Sequence, residues 1–130
     1  MPYTQFVEIG RVSLVSFGPN ADQPVVIVDI IDDKRVVVDY VNGQKAREVI
    51  PVRRLKLTDL VTKIDRGAAP ENVSEALNRD HILDKWNNTL WAKRIASRHA
   101  KIQMNDFQRF KYAALNARRR ELIKAELNKH

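Results

Sequence analysis

The sequence of 130 residues contains no cysteine, which excludes a disulfide framework and any thiolate ligand or nucleophile. Glycine occurs only 4 times, and no glycine-rich phosphate loop or GxSxG elbow is present. The longest apolar runs, VVIV and YAAL, are four residues long, too short for a membrane-spanning helix. The opening MPYTQFVEIGRV has no basic segment leading into an apolar core, so a secretory signal is not expected, and the protein is expected to be soluble and intracellular. His81 and His99 stand far apart without an HExxH-type or Ser/Asp companion, and neither is expected to serve as a catalytic base. Asp29, Asp32 and Asp33 could suggest a divalent-metal site, but acidic residues are ordinary in a hairpin turn and no fourth ligand stands nearby. Catalytic residues, a metal and a cofactor are therefore all expected to be absent.

What the chain has in excess is positive charge. The formal net charge is +7, and it is unevenly placed. Residues 1 to 66 hold 10 Lys/Arg against 9 Asp/Glu, whereas residues 67 to 130 hold 13 against 7. Between Lys93 and Arg120 nine cations face the single acid Asp106. Such a balance points to nucleic acid or an anionic membrane surface.

The two halves also differ in pattern. RVSLVSF, VVIVDII and RVVVDYV are rich in Val and Ile and are separated by turn residues; REVIPV and RLKLT follow. Five short antiparallel strands in about sixty residues predict a small curled barrel. Pro24 and Pro51 belong at strand ends or an exposed edge, since neither can donate to a ladder. The expected core is Val12, Leu14, Ile27, Val28, Val36, Val38, Val49 and Leu55, to within one register step. After the breaker RGAAP the periodicity turns helical. Pro70 suits a first helical position, and ENVSEALNRD gives a short helix. A second runs from about Asp80 through Ile82, Trp86, Leu90 and Ile95. A third begins at NDFQ, where Asn105 and Gln108 can form a capping box, and reaches about Asn128. Trp86 is expected in the inter-helix core. Trp91 could equally pack there or stack on a base or partner.

The last helix carries Arg118, Arg119 and Arg120 in succession, sweeping about 200° of its surface. Glu121 can partner Arg118, but Arg119 and Arg120 have no acid three or four residues away. Phe107, Phe110, Ala114, Leu115 and Leu122 make a loose apolar side that also contains Lys111 and Arg118. This helix is expected to be surrounded partly by protein and partly by phosphate. A solvated basic face is the plainer explanation of Lys93, Arg94, Arg98, Lys101, Arg109, Lys111 and Arg118 to Arg120; the one-sided local excess favours nucleic acid. A membrane surface fits less well, because no apolar face lies opposite the cations.

FVEIGRVSLVSFGPNADQPVVIVDIIDDKRVVVD resembles a KOW motif, the barrel segment of certain ribosomal proteins and transcription elongation factors. Phe6-Val7-Glu8, Gly10-Arg11-Val12 and Val15-Ser16-Phe17-Gly18-Pro19 are similar to the opening of the family of eukaryotic-type large-subunit ribosomal protein fourteen. Val28-Asp29, Ile31-Asp32, Leu57-Thr58-Asp59, Lys85-Trp86, Trp91-Ala92-Lys93 and Asp106-Phe107 with Arg109-Phe110-Lys111 follow that family's landmarks in order. The resemblance covers essentially the whole chain. It implies an α+β protein: an SH3-like barrel with the KOW motif over residues 1 to 66, and a basic α-helical extension over residues 67 to 130. It also implies a structural, non-catalytic constituent of the large ribosomal subunit, touching large-subunit ribosomal RNA and neighbouring ribosomal proteins, with no membrane or small-molecule partner. The expected location is the cytoplasmic ribosome, with nucleolar assembly in a eukaryote. On the barrel, Arg11, Lys34, Arg35, Lys45, Arg47, Arg53 and Arg54 are further expected RNA contacts. The chain departs from the motif at Asp22, where relatives carry glycine, and at Gln23, where a basic residue is usual. A positive φ at that position would suit Asp less well than Gly.

Two rivals stand beside this reading. A free KOW-type regulatory module binding RNA or protein, as in transcription elongation, would not need the basic helical half. An RNA-processing enzyme would need a carboxylate or histidine constellation that the sequence lacks.

Overall fold

The fold is that of a computed structural model, which describes residues 4–130. Strands β1 (Arg11–Val15), β2 (Pro24–Ile30), β3 (Arg35–Tyr40), β4 (Glu48–Pro51) and β5 (Leu55–Val61) form one antiparallel sheet in the order β4-β3-β2-β1-β5. The edge strands β4 and β5 are joined by a single 3-10 turn, Val52–Arg54. A three-residue connection between opposite edges requires the sheet to curl until they converge, giving a small barrel-like shape. Irregularities between Ile27 and Asp29, and between Arg11 and Ser13, supply local bends of the kind bulges provide. Pro24 opens β2 and Pro51 closes the edge strand β4, where a missing donor costs no ladder bond.

The uninterrupted run VVIV in β2 is explained by burial on both faces. Val25 and Ile27 join Val15, Val36, Val38, Tyr40 and Ile50 in one core cluster. Val26 and Val28 join Val12, Val73, Leu77 and Ile82 in a second. Helix α1 (Pro70–Arg79) places Val73 and Leu77 one turn apart over that outer face, each buried side chain contributing about 1.5–3 kcal/mol. Of the expected core, Val49 is a correction: it is 50% exposed, and Ile50 is buried in its place. One step of register in a strand exchanges the two faces. Leu55 is only partly buried, at the margin of the first cluster.

The helical part has one break more than the periodicity suggested. The helix expected from Asp80 through Ile95 is two, α2 (Ile82–Asn87) and α3 (Leu90–Gln103). Thr89 is the cause: its hydroxyl donates to the Trp86 carbonyl at 2.7 Å and accepts from the Ala92 N–H at 3.2 Å, ending one helix and capping the next. His81 separates α1 from α2 with a left-handed φ of 51°. Asp80, before it, accepts a 2.5 Å bond from the Thr62 hydroxyl, tying the end of α1 to the segment after β5. Helix α4 (Asp106–Asn128) starts as expected, with Asn105 accepting from the Gln108 N–H at 2.8 Å and Gln108 accepting from the Asn105 N–H at 3.2 Å.

The chain divides into two compact units, Met1–Ala92 and Lys93–His130. The change from strand to helix falls earlier, between Val61 and Pro70. α1 and α2 nevertheless belong with the sheet, because their apolar residues close its second face. None of the helices is long and apolar enough to cross a membrane among the described residues.

Candidate nucleic-acid interface

In the second unit the expected cations are all exposed. On α3, Lys93, Arg94, Arg98 and Lys101 fall within about 140° of the helix circumference at 100° per residue, while the buried Ala92 and Ile95 occupy the remaining arc. Lys101 Nζ lies 5.6 Å from the Tyr112 ring centroid and Lys111 Nζ lies 4.5 Å from that of Phe107. Asn116 and then Lys101 hold the Tyr112 hydroxyl below its ordinary range. These contacts fix two lysines through aromatic faces without neutralising them.

Among the described residues, no carboxylate lies within ion-pairing distance of Lys93, Arg94, Arg98, Arg109, Arg118, Arg119 or Arg120. Glu121, three residues from Arg118, does not pair with it. α4 buries no residue at all: Phe110, Leu115 and Leu127 are 70%, 68% and 70% exposed. A helix bearing open apolar side chains and unneutralised guanidinium groups around its circumference has the surface of a buried element.

The cations of the first unit are used differently. Arg11 is a structural residue. It is 5% exposed, donates to the carbonyls of Phe6 and Thr58 at 3.1 and 3.0 Å, and pairs with Glu8 at 2.8 Å. Its guanidinium is thus committed within the fold and cannot reach an external phosphate. Arg47 is similarly engaged, bidentate on Asp39 at 2.9 and 2.8 Å and donating to the Ala68 carbonyl at 2.5 Å, so it clamps the strand β3 to the linker before α1.

Of the other barrel candidates, Lys34, Arg35, Lys45 and Arg53 are exposed and Arg54 is half-buried. Lys34, Arg35 and Arg53 converge on one open depression of about 570 Å³, floored by Pro51 and Val52 and also lined by Asp33. Arg35 is shared with Asp32 at 3.0 Å, whose carboxyl is held low by the backbone N–H of Lys34 and by Arg35. The Asp29 carboxylate pairs with Arg66 at 2.7 Å and is likewise lowered, chiefly by that bond. Two of the three acids, Asp29 and Asp32, therefore serve as partners of arginine. Lys45 donates to Asn20 and lies 5.7 Å from the Tyr40 ring centroid; Asn20 and Tyr40 both donate to Glu48, at 3.2 and 2.9 Å. The loop of residues 18 to 23 is thereby tied to the β3–β4 connection. Within it Asp22 has a φ of 66°, the left-handed conformation that the departure from glycine brought into question.

Two side-chain pairings were not visible in the sequence. The break at Thr89 brings Trp86 and Trp91 to 5.7 Å in an edge-on pair, with Lys56 Nζ 5.9 Å from the Trp91 ring centroid. On one continuous helix, residues five apart would point about 140° away from each other. Phe17, half exposed, carries the Arg54 guanidinium 5.6 Å from its ring centroid. The only sequence signal was an aromatic residue beside a turn.

Comparison with known proteins accords with this arrangement. The sequence profile of the family described as Ribosomal protein L14 matches residues 46–120. The large ribosomal subunit protein eL14 of Griffithsia japonica is 38% identical over 130 residues, covering 99% of this chain and 98% of that one. Those of Pisum sativum and Schizosaccharomyces pombe are 36% and 35% identical, covering 99% and 98% of this chain and 96% and 95% of theirs. Agreement at that level from end to end, barrel and basic helices together, places the chain in the ribosomal protein L14 family.

Proposed function

We propose that this chain is a structural, non-enzymatic constituent of the large ribosomal subunit that binds large-subunit ribosomal RNA. The relatives' names give the particle, and the electrostatics give the chemistry. The observation that carries the proposal is the row of exposed cations from Lys93 to Arg120 without carboxylate partners among the described residues. Polyphosphate supplies the missing counter-charge and releases condensed cations as it binds. Lys93, Arg94, Arg98 and Lys101 line one RNA surface. Arg109, Lys111 and Arg118 to Arg120 contact phosphates around α4, whose apolar side chains are covered by neighbouring ribosomal proteins. On a KOW-type, SH3-like barrel of residues 1 to 66, Lys34, Arg35, Lys45, Arg53 and Arg54 add phosphate contacts, while Arg11 and Arg47 hold the fold that presents them. The basic extension of residues 67 to 130 carries most of the affinity. Its seat is the cytoplasmic ribosome after nucleolar assembly in a eukaryotic cell, where it supports subunit assembly and translation.

A filter-binding titration on large-subunit ribosomal RNA tests the phosphate role. The variant Arg118→Ala, Arg119→Ala, Arg120→Ala should bind more weakly, and its log-log salt slope should fall by roughly 0.7 to 0.9 for each phosphate no longer neutralised. An unchanged slope refutes it. Co-sedimentation with large subunits through a sucrose gradient at moderate salt separates this role from that of a free regulatory module, which would stay at the top.

A further inference from the structure

Phe17 lies two residues past the end of β1 and is 50% exposed. The residue before it is held to Arg54: the Ser16 N–H and hydroxyl both donate to the Arg54 carbonyl, at 2.7 and 3.0 Å. The Arg54 guanidinium lies over the Phe17 ring at 5.6 Å, and its buried Nε has no hydrogen-bond acceptor among the described residues. Gly18 follows with a φ of 107°, so glycine suits the turn that leads away from the ring. A lone exposed phenylalanine is unremarkable on a protein surface. One next to a residue held by two bonds, with a cation laid across it, is a preorganised aromatic surface in a basic setting. Planar bases stack on aromatic rings and on guanidinium planes, and they do so with little regard to sequence.

We infer that Phe17 and Arg54 form a stacking platform for one unpaired nucleobase of the bound RNA. The inference rests on the RNA-binding reading, but it assigns an interaction of another kind. Phosphate binding weakens as salt is added, whereas stacking on an uncharged ring leaves the salt slope untouched.

The test uses the full chain and single-stranded oligoadenylate carrying 2-aminopurine, whose fluorescence is quenched by stacking. Wild type should quench it at saturation. Phe17→Leu should weaken binding by about tenfold with an unchanged salt slope, in line with the loss of one base–aromatic stack. Phe17→Tyr, which keeps the ring, should restore both affinity and quenching, so a folding defect in the leucine variant does not decide the matter. Equal affinity of Phe17→Leu and wild type overturns the platform. So does oligonucleotide binding by wild type without quenching, which would leave the ring to a protein partner. If Phe17→Leu weakens binding while the triple arginine variant keeps its slope, the platform stands and the phosphate role of α4 alone fails.

Discussion

Arg11 and Arg120 are the same residue type in two different circumstances. In the unit Met1–Ala92 two arginines are internal struts: Arg11 is 5% exposed and saturated by carbonyls and Glu8, and Arg47 is bidentate on Asp39. In the unit Lys93–His130 the arginines of α4 stand open, with no carboxylate in reach among the described residues. The difference is one of apolar supply. The barrel buries two clusters and can hold a desolvated cation in a closed set of acceptors. The α4 helix buries nothing and leaves its charge to a partner. Charge counts along a sequence are therefore informative about function only where the fold does not consume them.

The contrast can be broken by mutation, and the largest effect is expected inside the barrel. A Cβ on Gly10, whose φ is 91°, would lie 1.9 Å from the Thr62 carbonyl oxygen, so Gly10→Ala should cost about 4 kcal/mol of stability from clash and backbone strain together. Chemical denaturation followed by circular dichroism measures it; a loss below about 1 kcal/mol would mean that the strand ends at Gly10 and Thr62 can separate freely.

A paired truncation sharpens the comparison at intermediate size. Ile27→Ala, at a fully buried site, should cost about 3 kcal/mol. Leu115→Ala, at a site 68% exposed, should change stability by less than about 0.5 kcal/mol. Comparable losses at the two positions would show that α4 packs in solution and would remove the distinction between the units.

The smallest effect concerns pH. Burial, and then the bond to Glu48, push the Tyr40 hydroxyl up to about 12. The fold thus favours the neutral phenol, and the stabilisation is complete below the ordinary tyrosine value of about 10 and lost as pH rises through the folded value. Tyr40→Phe should cost about 1 kcal/mol at neutral pH. The wild-type excess should then disappear in alkaline denaturation curves, while an excess that persists undiminished above that range would remove the linkage.

Much of this was legible in one dimension. The β2 run VVIV, bounded by Pro24 and Asp29, could only be a short strand, and the pair Asn105 and Gln108 marked the start of α4. Local signals of that kind depend on neighbours in the chain. Val49 and Ile50 were exchanged because adjacent apolar residues in an edge strand do not say which faces inward. The continuous second helix failed for a different reason. Apolar spacing outweighed Thr89, although Asn-Asn-Thr is a capping signal.

By itself the sequence determined the order of the strands, the change from strand to helix and the basic excess of its latter part, because composition, caps and periodicity act between residues close in the chain. Only the tertiary structure decided that α1 and α2 close the outer face of the sheet, that Arg11 and Arg47 are struts, that the two tryptophans meet, and that Arg54 lies on Phe17. Those outcomes require groups far apart in sequence to be brought within a few ångströms, and burial and charge neutralisation are settled only when that approach has been made.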